Sequence, residues 1–234
     1  MKNVELGPGL RRGDEVAASR RRWMQAIAAM GAAGASGYLS ELLAAGDLPP
    51  GLHRVEGTAT VNGRQAKSGS AVNLGDRIAT SAGSTAVVVM KGDAFLMRSN
   101  TTVEIKGSGS LISDMLIASG RVLTVWSKKD VSVKAAHATI GIRGTGAYFE
   151  VDGKEAYFCL CYGEAVISGP NMPDKTVVTK HHEQPLLLVE GGGTLRAQPG
   201  PFRNHTDDEL TLLEKLVGRE PPFVKDGQYP LNKY

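Results

Sequence analysis

From Val55 onward the chain is a succession of short apolar or β-branched runs. They fall at Thr58–Val61, Arg77–Thr80, Thr85–Met90, Ala94–Met97, Thr102–Ile105, Leu111–Ile117, Arg121–Trp126 and Val131–Lys134, then Thr139–Ile142, Ala147–Val151, Ala156–Cys161, Ala165–Ile167, Thr176–Thr179 and Pro185–Val189. Turn signals separate them: Asn62-Gly63, Gly75-Asp76, Gly92-Asp93, Ser119-Gly120, Asp152-Gly153 and Gly169-Pro170. Asn-Gly and Asp-Gly supply the positive φ that hairpin turns need. Turns recurring about every ten residues, with no strand–helix–strand alternation, predict a mainly β fold, an antiparallel sandwich or roll of many short strands.

The tail changes period. Thr206-Asp207-Asp208-Glu209 matches a capping box, with Thr206 as N-cap and Glu209 at the third helical position. Leu210, Leu213 and Val217 share one face, Leu212 and Leu216 flank it, and Gly218 stands where a C-cap glycine belongs. The spacing predicts a C-terminal amphipathic helix over about 207–217, which Pro221-Pro222 prevents from continuing. One such helix cannot bury its stripe alone, so it is expected to pack on the β body, with a partner protein as the alternative. Upstream, Leu39–Ala45 reads as a short helix closed by Gly46, and Pro49-Pro50-Gly51 is a hard break.

Composition agrees with short strands and tight turns: 29 glycines, 41% hydrophobic residues and 6% aromatics in 234 residues. Charge is informative through its location. Residues 1–22 carry Lys2, Arg11, Arg12, Arg20, Arg21 and Arg22 against Glu5, Asp14 and Glu15, which is the whole net charge of +3. The neutral remainder lacks the basic footprint of a nucleic-acid binder.

The basic leader has a recognisable order. Ser19-Arg20-Arg21-Arg22-Trp23-Met24-Gln25 resembles the twin-arginine export signal, carried by Ser19, Arg20, Arg21, Trp23 and Met24. A weakly apolar run, Ala26–Ala35, follows, and Ala33 with Ala35 forms an A-x-A-like cleavage site. An Arg-rich amphipathic or surface helix is the bland alternative. The expected organisation is a signal segment over 1–35, a linker with a short helix over 36–54, a β domain over 55–190 and a C-terminal extension over 191–234. The resemblance implies a periplasmic protein that meets the twin-arginine translocase during export. Anchoring at the inner membrane follows if the signal stays uncleaved, although the Ala/Gly-rich run makes a poor span.

Cys159-Leu160-Cys161 is the sharpest chemical pair. On a strand the two side chains share a face with Cα atoms about 6.5 Å apart, which strains a direct disulfide and suits two thiolate ligands. With His181-His182-Glu183 and Asn204-His205-Thr206-Asp207-Asp208 in the tail, a metal site drawing on Cys159, Cys161, His181, His182 and His205 is conceivable, and zinc or copper suits such donors. Buried structural thiols and a redox or intermolecular disulfide are the alternatives. Arg143-Gly144-Thr145 reads as an arginine in a glycine-rich turn, either a ligand or partner contact or a corner whose arginine pairs with a nearby acid. Asp207, Asp208 and Glu209 are assigned to helix capping and dipole. No nucleophile elbow, Ser/His/Asp order or metalloprotease helix is present, so catalysis is not expected.

The segment from Val55 to about Val189 resembles the FecR domain, the extracytoplasmic module of iron-dicitrate regulator proteins. The resemblance is carried by Gly57–Gly63, by Leu74-Gly75-Asp76-Arg77-Ile78-Ala79-Thr80, by Gly83–Val89 and by Asn100–Ile105. It is strongest at Ala138-Thr139-Ile140-Gly141-Ile142-Arg143-Gly144-Thr145, and Cys161–Val166 takes the place of the next strand pair. It implies a binding, sensing or scaffolding module, linked to iron-uptake signalling, with a protein partner in the periplasm or outer membrane. Such regulators place a sigma-factor-binding domain and a membrane span before the module. About 22 residues precede the apolar run here, so direct control of a sigma factor is not expected.

Overall fold

The structure, a computed structural model, describes residues 48–109, 111–127 and 130–225. The leader residues and the short helix expected at Leu39–Ala45 lie outside them. Fourteen strands are described: β1 (Gly51–Glu56), β2 (Ala59–Val61), β3 (Arg64–Ala66), β4 (Arg77–Thr80), β5 (Thr85–Met90), β6 (Asp93–Met97) and β7 (Thr102–Ser108), then β8 (Leu111–Val125), β9 (Asp130–Ala135), β10 (Ala138–Asp152), β11 (Glu155–Gly169), β12 (Met172–Thr179), β13 (Leu186–Gly191) and β14 (Thr194–Pro199). Two helices follow, α1 (Asp207–Leu216) and α2 (Pro222–Lys225). The fold is mainly β with a short C-terminal helix, as the turn spacing predicts.

The strands join in one sheet ordered β14-β13-β11-β10-β9-β8-β7-β4-β2-β3, with β12 on β11 and a branch in which β1, β5 and β6 lead back to β8. All pairings are antiparallel except β8–β9, where Asp114–Ile117 runs parallel to Ser132–Ala135. The sheet is thus mixed, with one parallel pair among antiparallel ones.

One correction concerns strand length. Ser119-Gly120, Arg143–Gly146 and Tyr162–Glu164 read as breaks, yet β8, β10 and β11 run through them as strands of 15 residues each. The glycines mark bends with register shifts rather than chain reversals. Gly120 adopts φ +92, and a Cβ there would meet Thr101 Cα at 2.4 Å. Gly163 adopts φ +98, and its Cβ would meet Thr145 Cγ2 at 2.5 Å. Bending lets each strand change partners: β10 pairs β9 over Ala138–Arg143 and β8 over Gly146–Val151. β1 begins at Gly51, four residues before the expected onset, because Leu52 pairs with Val88 and is fully buried. β3 and β14, polar in sequence, were not expected.

The site depends on β11 being buried on both faces. Side chains alternate along a strand, so Ala156, Phe158 and Leu160 enter the main core with Phe149, Leu186 and Leu188. Tyr157, Cys159 and Cys161 take the opposite face and are also buried. On that face the register aligns Val87, Leu96, Leu123, Tyr148 and Cys159 in one row across β5, β6, β8, β10 and β11.

The C-terminal segment covers this row. α1 packs on β6 and β8 through Leu210, Leu213 and Leu216, all buried, while Val217 of the predicted stripe is only half-buried. The capping box forms as predicted: Glu209 N–H donates to Thr206 Oγ1 at 3.3 Å and Thr206 N–H to Glu209 Oε2 at 3.0 Å. Buried ion pairs tie the segment down. Arg98, following β6, donates to Glu209 at 2.9 Å and to the Asn204 carbonyl at 2.9 Å. Glu214 accepts from the Tyr162 hydroxyl and from Arg219 Nε at 2.6 Å. Among the described residues, no helix is long and apolar enough to cross a membrane.

Candidate functional site

Four segments converge beside β11. The strand supplies Cys159 and Cys161, the turn after β12 supplies His181 and His182, the approach to α1 supplies His205, and the first turn of α1 supplies Asp207. All six are at most 3% exposed. His182 holds its place in a left-handed conformation, φ 53, which non-glycine residues adopt only when their surroundings enforce it. Its backbone N–H donates to the Cys161 carbonyl at 3.0 Å.

The hydrogen bonds fix the imidazole tautomers, because carbonyls and carboxylates can only accept. His182 Nε2–H donates to Asp207 Oδ1 at 3.0 Å, leaving Nδ1 as the nitrogen that faces Cys159 and His205. His205 Nδ1–H donates to the Arg203 carbonyl at 2.8 Å, leaving Nε2. These two acceptor nitrogens face each other at 3.2 Å, and Cys159 Sγ lies 3.5 Å from His182 Nδ1. The three donor atoms all lie within 4.8 Å of one another. Metal–sulfur and metal–nitrogen bonds of about 2.3 and 2.05 Å put neighbouring ligand atoms roughly 3.3–3.8 Å apart. The cluster therefore has the dimensions of a metal-binding set.

Asp207 orders the outer side. Its carboxylate accepts His181 Nε2–H at 2.9 and 3.0 Å as well as His182 Nε2–H. A histidine whose far nitrogen donates to a carboxylate is the usual support for a metal ligand, since the hydrogen bond sets ring orientation and raises basicity. Burial pushes the Asp207 carboxyl upward, but the two imidazole hydrogen bonds outweigh it and hold the group below the ordinary carboxylate range. The neighbouring Cys161 first, and then the His182 and His205 rings in their protonated forms, lower the Cys159 thiol against the opposing effect of burial. Burial and the neighbouring Cys159 keep Cys161 a thiol. His181 moves the other way, burial lowering its tendency to protonate.

Aromatic rings close the cluster. Tyr148 stacks on His205 with centroids 4.4 Å apart, and Phe202 lies 4.5 Å from His205 and 4.8 Å from His182. Phe223 of α2 covers His181 at 4.2 Å. Glu150 holds this lid by accepting from the Tyr148 hydroxyl at 2.8 Å, Asn204 Nδ2 at 2.6 Å and Arg203 at 2.9 Å.

Of the ligands considered from sequence, Cys159, His182 and His205 meet at one point. His181 stands behind Asp207, and Cys161 lies beside Cys159 without joining the three-atom group. Both cysteines are free and buried, without a disulfide. Asp207, assigned from sequence to capping and dipole alone, also orients both histidines, and Glu209 joins a buried ion pair besides its capping box. The signal that could have found Asp207 is the His205-x-Asp207 spacing, which puts a carboxylate one residue beyond the N-cap. Tyr148, Phe202 and Phe223 carry no local signal. Arg143, Gly144 and Thr145 sit on a bulge within β10, not at a corner. Arg143 is exposed, with Nε 3.7 Å from Asp130 Oδ1, while Thr145 is fully buried. Ser19, Arg20, Arg21, Trp23 and Met24, read from sequence as an export signal, lie outside the described residues.

No protein-family model matches the chain, and no curated protein matches it. Two crystal structures of a candidate anti-sigma factor from Parabacteroides distasonis are similar to parts of it. One aligns with TM-score 0.43 and 10% identity over 53% of this chain and 59% of that one. The other aligns with TM-score 0.45 and 9% identity over 60% of this chain and 73% of that one. The chain thus spans about three-fifths of the first of these proteins.

Proposed function

We propose that this chain is a metal-binding sensing module, an exported FecR-like β domain that acts by binding and not by catalysis. One observation carries the metal reading. His182 Nδ1 and His205 Nε2 converge at 3.2 Å beside Cys159 Sγ, while the other nitrogen of each ring is already committed to an acceptor. Two ring nitrogens and a sulfur held this close in a buried site, each at hydrogen-bonding or ligand distance of the next, form a donor set of the size that a metal ion takes. A transition metal ion of the zinc or copper kind satisfies all three donors at once.

The resemblance of Val55–Val189 to the FecR domain supports a sensing or scaffolding role outside the cytoplasmic membrane. The Ser19–Met24 signal supports export by the twin-arginine route to the periplasm. Because the site bridges β11 and the segment leading into α1, metal occupancy reports on whether that segment is docked, which a protein partner in the periplasm or outer membrane can read. The link to iron-uptake signalling rests on the resemblance. The test is elemental analysis of purified protein beside a Cys159→Ser/Cys161→Ser variant. One equivalent of metal in the parent and none in the variant supports the reading; no metal in either, after loading with zinc or copper, ends it.

A further inference from the structure

The three donors of the cluster are held in different ways. Cys159 is fixed by the ladder of β11, where it stands opposite Tyr148 of β10. His182 is fixed by its backbone N–H, which donates to the Cys161 carbonyl at 3.0 Å. His205 lies between β14 and α1, on chain that belongs to neither strand nor helix. A donor on irregular chain stays at ligand distance when packing and outer hydrogen bonds set its orientation.

Three such supports of His205 converge on one carboxylate. Glu150 of β10 accepts the Tyr148 hydroxyl at 2.8 Å, and the Tyr148 ring stacks on His205 with centroids 4.4 Å apart. The same oxygen accepts from Asn204 Nδ2 at 2.6 Å, and Asn204, immediately before His205, holds a left-handed φ of 62. The other oxygen pairs with Arg203 Nη2 at 2.9 Å, and the Arg203 carbonyl accepts His205 Nδ1–H at 2.8 Å. Ring plane, chain direction and tautomer of His205 are each tied to Glu150. Its side chain is 14% exposed, so these charge-assisted contacts stand largely out of water.

We infer, on the metal reading above, that Glu150 is a positioning residue of the site, acting through Tyr148, Asn204 and Arg203 to aim His205 Nε2 at the ion. A carboxylate that only stabilises the fold lowers stability when it is lost and leaves the surroundings of the metal as they were. One that positions a donor changes both the affinity for metal and the coordination.

Full-length parent and Glu150→Gln are loaded with Zn(II), for affinity by chelator competition, and with Co(II), for the absorption spectrum of the site. Glu150→Gln should bind zinc about 10–100-fold more weakly, the range for loss of an outer-shell partner. Its cobalt ligand-field bands should shift while the thiolate band from Cys159 persists. Tyr148→Phe keeps the stacked ring and removes one of the three links, so a smaller change in the same direction is expected. That variant decides the matter if circular dichroism shows that Glu150→Gln does not fold. Unchanged zinc affinity and cobalt bands in a folded variant, whatever its stability in denaturant, overturn the positioning role and leave the metal reading intact. Failure of the parent to retain either metal overturns both.

Discussion

His182 Nδ1 and His205 Nε2 stand 3.2 Å apart with both far nitrogens already donating, to Asp207 and to the Arg203 carbonyl. This pairing needs a positive charge between the rings. Without metal, a proton on His182 meets that need. Burial disfavours charge on this ring, but Asp207 and the Cys159 thiolate outweigh it and raise its affinity for a proton. Metal binding replaces that proton, so apparent affinity weakens as solution is acidified.

Asp207→Asn is the most economical test of the supporting shell. The amide keeps the shape but loses the charge that orients His182 and His181. Removing such a partner typically weakens metal binding about 10–100-fold. Competition with a chromophoric chelator measures this; an unchanged affinity would mean that Asp207 only caps α1.

The docking of α1 rests on Arg98–Glu209, whose side chains are 3% and 1% exposed. Glu209→Gln preserves the capping box geometry yet strands a buried guanidinium. Breaking a buried pair from one side costs about 3–5 kcal/mol. Chemical denaturation should show a loss of that order, and an Arg98→Met/Glu209→Gln pair should recover part of it. A double-variant loss equal to the sum of the two single-variant losses would show that the two charges do not interact.

Alkaline behaviour follows from Tyr157 and Tyr162. Burial first, and then nearby anionic groups, Cys159 for Tyr157 and Glu214 for Tyr162, raise both phenols above their ordinary value. A raised folded value means that their contribution to stability is complete below the unfolded value of about 10 and declines as pH rises beyond it. Absorbance at the phenolate band should therefore show these two ionising only together with unfolding. Phenolate appearing while the fold persists would contradict their burial.

The proposed export signal is tested by Arg20→Lys/Arg21→Lys. Periplasmic yield should fall while cytoplasmic protein accumulates. Unchanged periplasmic yield would rule out twin-arginine transport.

Much of the sheet was legible because alternation and turn chemistry are local. Arg77–Thr80 and Thr85–Met90 emerge with their predicted bounds. The bends were not legible, since Gly120 and Gly163 look the same in sequence whether they reverse a chain or let one strand press against Thr101 or Thr145. β14 escaped notice because Thr194–Pro199 is polar and follows three glycines. The site was half legible. Cysteine and histidine announce their chemistry by type, but their meeting depends on β11 being covered on its second face, a tertiary fact. Asp207 was hidden by its other role, since a carboxylate at a helix start already has a sufficient local reason to be there.

The central claim is most directly tested by anomalous diffraction from crystals of the metal-loaded protein, collected on both sides of the metal edge. The account predicts one strong peak per chain at bonding distance from Cys159 Sγ, His182 Nδ1 and His205 Nε2. A loaded crystal with no peak there, or with its metal on other residues, contradicts it.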